Sequence, residues 1–312
     1  MNILITGAFG FVGTNLSKAI KENSSHKIIA VDIAEPKVHL YDEFFNWKSL
    51  GSIDWENTDA VIHLAGKAHD TKNTTDEKHY FDINLGLTQR IFEYFLGSDA
   101  KKFIFFSSVK AVADQVFGEK LSETEIPNPQ TAYGKSKLAA EQHILGHELT
   151  KEKQVYILRP SMIHGPGNKG NLNLLYNMVQ KGMPWPLGSF DNQRSFTSIE
   201  NLSFVVNQIL SNNTEPGTYQ MADDEVISTN RLIELIAESI GKKPRIWRIN
   251  KKIIQSAAKL GDVIHLPLNT ERLKKLTESY VVSNQKIKNA LGIEQMPVAA
   301  EAGMKKTLNS FR

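Results

Sequence analysis

The 312 residues include no cysteine, so disulfide bridges and thiolate metal sites are excluded. The nine histidines show no ligand spacing such as His-x-x-x-His, and no metal site is expected. No apolar run is long enough to span a bilayer, and the chain opens on strand-like residues rather than on a signal peptide. A soluble, cytoplasmic protein with no membrane partner is therefore expected. Charge of one sign is also scarce. With 37 basic and 34 acidic residues the net charge is +3, which points to neither nucleic acid nor membrane. The most basic stretch, Lys242 to Lys252, lacks the interleaved aromatic run of a strand-binding groove and reads as solvated surface. Internal repeats and low-complexity tracts are missing. What remains is an ordinary globular composition, long enough for one large domain or two modest ones.

The first thirteen residues organise the rest. Asn2 to Ile5 is a short uncharged apolar run, read as a buried strand that Thr6 and Gly7 end. Phe11, Val12, Leu16, Ala19 and Ile20 then recur at helical spacing. Gly7, Gly10 and Gly13 thus fall on a strand-to-helix turn. Glycine there permits a tight turn and lets backbone N–H groups approach an anion, toward which the helix N-terminus also points. This is the pattern of a pyrophosphate cradle. A second apolar strand, Lys27 to Asp32, ends in a carboxylate nineteen residues past Gly13, where it meets the adenosine ribose hydroxyls of a bound dinucleotide.

Further strands are expected at Asp59–Gly66, Lys102–Ser108 and Gln154–Pro160, with helices at about 75–96 and 131–149 between them. The stretch from Tyr41 to Trp47 carries no assignable pattern. This alternation predicts an α/β fold built on a parallel, doubly wound Rossmann sheet. After Pro160 come Gly/Pro loops with a helix between them, then a short strand and helix at 195–210 and a strand at 217–221. Helices dominate from Ser228, with extended pieces near Arg245 and Tyr280. Residues 1–160, with a return at 195–221, are read as the cofactor domain. Residues 161–194 and 222–312 form a smaller, mainly helical substrate domain.

Tyr133-Gly-Lys-Ser-Lys137 places a phenol and an ammonium four residues apart, on one helix face. The lysine is expected to stabilise the phenolate of Tyr133, lowering it from about 10 toward neutrality and making a general base. Ser108, at a strand end, would hydrogen-bond the same substrate oxygen. By itself such a Tyr–Lys pair is a common surface feature, and Ser107 also reads as a strand-end cap. The glycine cradle is what favours the catalytic reading.

These residues resemble the extended short-chain dehydrogenase/reductases of the NAD-dependent epimerase/dehydratase group, whose members act on nucleotide sugars. The matching signatures are Thr6-Gly7-x-x-Gly10-x-x-Gly13, His63-Leu-Ala-Gly66, Ser107-Ser108, Tyr133-x-x-x-Lys137 and Arg159-Pro160-x-x-x-x-Gly165-Pro-Gly167. The resemblance implies Ser108, Tyr133 and Lys137 as the catalytic set. It implies NAD held by Gly7, Phe9, Gly10, Phe11, Val12 and Gly13, and by Asp32 and Ile33. Leu64, Ala65, Gly66, Lys67, Asn84 and Ser107 would line it, Lys137 would bind its ribose, and Pro160 and Ser161 would border the nicotinamide. Lys67, Ser108, Asn171, Arg194 and Arg272 would contact the substrate, Asn171 and Arg194 at the nucleotide diphosphate.

Sugar dehydratases of this kind follow the serine with an acidic pair; Val109 and Lys110 stand there instead, so dehydration is not expected. A nucleotide-sugar 4-epimerase is the preferred reading and a 4-ketoreductase the alternative, both linked to surface polysaccharide synthesis. A catalytically silent scaffold is disfavoured by the intact Ser108, Tyr133 and Lys137. On a gapped reading, the resemblance implies that Tyr280 falls near the position where family 4-epimerases limit bulk at the sugar C2, which would favour plain hexoses. A homodimer is expected through the helix at 75–96 and the Tyr133 helix, because Tyr80, Phe81, Phe92 and Phe95 exceed what one sheet face covers.

Overall fold

The strands are β1 (Asn2–Thr6), β2 (Lys27–Asp32), β3 (Glu43–Asn46), β4 (Ala60–His63), β5 (Lys102–Phe106), β6 (Gln154–Pro160), β7 (Met162–His164), β8 (Phe196–Ser198) and β9 (Gly217–Met221). The helices are α1 (Phe11–Asn23), α2 (Glu77–Asn84), α3 (Gly86–Leu96), α4 (Ala132–Leu145), α5 (Asn171–Gln180), α6 (Ile199–Ser211), α7 (Thr229–Ser239), α8 (Lys251–Ile264), α9 (Thr270–Thr277), α10 (Gln285–Leu291) and α11 (Ala300–Asn309). They are taken from a computed structural model that describes residues 1–37, 40–67, 76–264 and 269–312.

Side-chain alternation along the strands sets the layers. Ile3 and Ile5 of β1 face one way, with Ile62, Ile104 and Leu158, and meet Leu16 and Ile20 of α1 and Leu202, Val205 and Val206 of α6. Leu4 faces the other way, with Val61, Phe103 and Phe105, and meets Ile91, Phe92 and Phe95 of α3 and Ile144 of α4. The seven strands run β3-β2-β1-β4-β5-β6-β9, every pair parallel. Such runs are apolar throughout because both faces are covered. The order reverses between β1 and β4. The carboxyl ends of those two strands therefore border the crevice where ligands of open α/β sheets bind. A separate core, holding Tyr176, Trp185, Leu232, Ile236, Ala258 and Met304, joins α5, α7, α8 and α11. Strands β7 and β8 pair with each other, not with the main sheet.

Several boundaries depart from expectation. The unassigned 41–47 stretch contains β3, an edge strand whose Phe44 and Phe45 are only half-buried, so no clean alternation marks it. The strand expected to reach Gly66 ends at His63, and the one expected to reach Ser108 ends at Phe106, which releases both serines. The helix expected to reach Leu149 ends at Leu145, followed by Gly146. The single helix expected at 75–96 is two, parted at Leu85; Thr75 lies outside the described residues. The Thr88 hydroxyl donates to the Asn84 carbonyl at 2.6 Å, competing with the helical ladder at that point. Tyr80, Phe92 and Phe95 are buried within the chain, so they no longer argue for a partner subunit.

Candidate active site

Gly7 closes β1 with φ +67°, and a Cβ there would lie 2.8 Å from Ala65 N, at the end of β4. A Cβ on Gly13 would lie 2.4 Å from Gly7 O, so α1 comes hard against the turn. Contact requires glycine at both positions, and the positive φ requires it at Gly7 as well. Gly10 precedes α1 as its N-cap and offers no side-chain cap, and no acidic residue occupies the first turn. The N–H groups and positive end of α1 are thus available to an anion. The Asp32 carboxylate, at the end of β2, accepts from Phe9 N at 2.9 Å and Ile33 N at 2.7 Å. It is fixed by this turn with lone pairs to spare for ribose hydroxyls. The Ile33 side chain is exposed, Phe9 packs on Tyr41 and Phe44, and Val12 packs on the core. Phe11 stands beside Gly165, where a Cβ would meet Ile199 at 2.5 Å. Asn15 binds α1 to the same loop through Pro166 O at 3.0 Å. The donor set, the two close glycine contacts and the carboxylate together fit a dinucleotide.

The β1–β4 edge is held by a buried relay. Ala65 N donates to Thr6 Oγ1, and the Thr88 hydroxyl is committed to Asn84 O. Thr6 therefore donates to His63 Nδ1 at 2.6 Å, and His63 Nε2–H donates to Thr88 at 2.9 Å. Burial, with Lys137 nearby, pushes His63 down to about 3, so the ring is neutral. Asn84 receives Lys67 N at 2.7 Å and donates to Lys67 O and to Ser136 Oγ. It pins the Gly66–Lys67 turn to α4. Leu64 N is bound to Thr6 O, and Lys67 Nζ lies 5.7 Å over the Tyr80 ring.

Tyr133 sits in the first turn of α4, capped by the Thr131 hydroxyl, and Lys137 one turn on. Helix α4 reaches Ser108 because residue 134 is glycine: a Cβ there would lie 2.4 Å from Lys110 O. Ser108 is buried and caps the following turn by accepting from Lys110 N at 3.2 Å. The Lys137 ammonium donates to Phe106 O at 2.8 Å, 4.9 Å over the Phe105 ring. A Cβ on Gly66 would stand 3.1 Å from that ammonium, which links the Tyr–Lys helix to the glycine cradle. Burial lowers Lys137 to about 8, against the pull of Glu141. The Tyr133 phenol departs from expectation: burial raises it, the Ser108 hydroxyl opposes, and Tyr80 adds to the rise. Spacing gave the shared helix face of Tyr133 and Lys137 but not the desolvation that raises the phenol.

Ser107 is committed elsewhere. Its hydroxyl donates to Glu141, which forms a two-pronged buried ion pair with Arg159 at 2.9 and 2.5 Å. The assignment of Ser107 to the cofactor is thus met by a structural tie. Pro160 ends β6, and Ser161 hydrogen-bonds Thr197, which donates to Met221 O. Both sit where β6 meets β9.

Arg194 is held in the backbone by pairing with Ile227 and Tyr280. One guanidinium nitrogen donates to Lys275 O, and its buried Nε has no protein partner. Burial lowers Lys110, and Arg194 and Lys275 are near enough to add to the fall, while Tyr280 lies 4.3 Å beneath its ammonium. The Tyr280 hydroxyl donates to Ala113 O at 2.6 Å, so this cationic group adjoins the segment after Ser108. Asn171 begins α5 and Arg272 lies on α9, and both are exposed. Sequence reasoning gave His63 no role beyond its place in a signature, and gave none to Gly134 and Glu141. A glycine inside a helix and a carboxylate one turn past Lys137 were the available signals.

Residues 3–222 match the family described as NAD dependent epimerase/dehydratase. The chain is 28% identical to a UDP-glucose 4-epimerase of Vibrio cholerae, over 99% of this chain and 95% of that one. It is 27% identical to a GDP-6-deoxy-D-mannose reductase of Pseudomonas aeruginosa, over 83% of this chain and 84% of that one. The crystal structure of a UDP-N-acetylglucosamine 4-epimerase from Bacillus cereus superposes with a TM-score of 0.77 at 19% identity, covering 100% and 99% of the two chains. With that fold, and with the glycine cradle and the Tyr133–Lys137 helix meeting at Gly66, the chain belongs to the NAD dependent epimerase/dehydratase family.

Proposed function

We propose that this protein is a nucleotide-sugar 4-epimerase that works on a UDP-hexose or UDP-N-acetylhexosamine with NAD. The observation that carries the reading is the meeting of Lys137 with Gly66, which joins a phenol–ammonium pair to the dinucleotide cradle. When bound, NAD would supply a hydride acceptor and, once reduced, a hydride donor. Gly7, Gly10 and Gly13 would hold its pyrophosphate, Asp32 its adenosine ribose, and Lys137 the ribose at the other end. Tyr133 takes the proton from the 4-hydroxyl, with Ser108 bonded to the same oxygen. Burial holds the phenol protonated, so Lys137 is needed to draw it into use. The 4-keto sugar then turns to present the other face of C4 for the hydride, and Tyr133 gives the proton back to the 4-oxygen. Arg194, with an unused Nε, takes the diphosphate through its planar fork. Residues 1–160 and 195–221 serve the cofactor; 161–194 and 222–312 serve the sugar nucleotide.

A reductase among the relatives supports a second reading, a 4-ketoreductase in which Tyr133 acts as the acid. The test is incubation of the purified protein with UDP-glucose and UDP-N-acetylglucosamine. A 4-epimerase interconverts each sugar with its 4-epimer and leaves reduced-nicotinamide absorbance unchanged. Stoichiometric cofactor oxidation on a UDP-4-keto-6-deoxy sugar, with neither epimerisation, establishes the reductase. Assembly as a homodimer through α2, α3 and α4 is part of the proposal, supported by half-buried Phe81, Leu87 and Leu138 on those helices. A monomeric mass in light scattering refutes it.

A further inference from the structure

Helix α8 shows solvent an apolar stripe. Its inner side is Ile254, Ala258 and Gly261. About a quarter-turn round, Ile253, Leu260 and Ile264 are 62%, 57% and 54% exposed, and Val263 is 74% exposed. At 3.6 residues per turn, positions 253, 260 and 264 fall within about 40° of one another. Lys252 and Lys259, both exposed, lie about 100° beyond this stripe, away from the buried side. The half-exposed Trp247 precedes the helix. Residues 242–264 hold seven basic residues and one acidic, a net +6, while the whole chain is +3, so the remainder is net negative.

We propose that α8 docks on an anionic lipid bilayer, lying in the interface plane. Ile253, Leu260, Val263 and Ile264 enter the acyl boundary while Lys252 and Lys259 reach the headgroups. This is the amphipathic pattern of interfacial helices, which combine apolar burial with attraction to acidic lipid. A solvated surface accounts for the lysines but not for four large exposed aliphatic side chains on one helix. A second copy would set one +6 segment against another, and protein interfaces are depleted in lysine. The expectation of no membrane partner rested on the missing spanning run, and an interfacial helix needs none. The proposal does not depend on the proposed reaction, because none of these residues belongs to the candidate site.

The test is co-sedimentation of the full chain with phosphatidylcholine vesicles, with and without about 30 mol% phosphatidylglycerol. The expected result is binding to the anionic vesicles that weakens with salt. Lys252→Glu with Lys259→Glu should lower it by at least about 25-fold, at about fivefold per cation lost. Leu260→Ser with Val263→Ser should lower it by about tenfold or more. Melting temperature and turnover should be unchanged in both variants, since the residues are exposed. Absence of binding at low salt, or equal binding by the variants, overturns the proposal. So does a dimer lost in Leu260→Ser without any vesicle binding, which assigns the stripe to a second copy.

Discussion

Gly134→Ala tests how closely α4 must approach the turn after Ser108. A Cβ at 134 would stand 2.4 Å from Lys110 O and 2.8 Å from Pro129 Cβ. Carbon normally rests about 3.3 Å or more from a carbonyl oxygen, so the helix must retreat by roughly 1 Å. Overpacking on this scale costs about 1–3 kcal/mol. The better helix propensity of alanine offsets about 1 kcal/mol of that. The net loss of about 0–2 kcal/mol should lower the melting temperature by a few degrees at most. Turnover should respond far more steeply. The phenol of Tyr133 rides on this turn of the helix, and a misplacement of about 1 Å costs on the order of 100-fold in rate. The assay is steady-state epimerisation beside a thermal melt. Wild-type turnover in Gly134→Ala would refute the reasoning, because the methyl group would then be accommodated without moving Tyr133.

Tyr133→Phe should leave sugar-nucleotide affinity nearly unchanged by calorimetry and lower turnover by roughly two to four orders of magnitude. Glu141→Ala strands the buried Arg159 guanidinium, so urea unfolding should show a loss of about 3–5 kcal/mol. The pH dependence has a definite sign at Lys137. The buried ammonium releases its proton near 8 and an ordinary lysine near 10.5, so between these values the unfolded chain holds the extra proton. Stability relative to Lys137→Met should therefore rise with pH across that window, as read from urea midpoints at pH 8, 9 and 10. Asp32→Ser should weaken NAD and strengthen NADP in fluorescence titrations, because the carboxylate repels a 2′-phosphate.

The parts of the fold legible in the sequence were those written in local spacing. Three glycines around a strand-to-helix change, a carboxylate closing the second strand, and a tyrosine four residues before a lysine each lie within one or two elements. Contacts between distant segments left no such trace. Asn84 sits at the end of a helix in sequence, yet in the fold it bridges Lys67 and Ser136. Ser107 and Ser108 are neighbours with the same side chain, yet one meets Glu141 and the other faces Tyr133. Only the strand's end at Phe106 separates their roles. The edge strand β3 was invisible because half-burial on both faces erases the alternation that identifies strands.

The relay from Thr6 through His63 to Thr88 has a consequence for how the protein responds to acidity. Imidazole is the side chain most apt to titrate in a cell, and this one is the clasp between the two strands that part at the crevice. Held neutral down to about 3, it cannot act as a sensor. Mild acidification leaves the clasp fastened and the gap between Gly7 and Ala65 at its set width. Cofactor retention should then be flat across the pH range in which turnover varies. The acid–base work and the grip on the dinucleotide are thereby insulated from each other, although they meet at a single glycine.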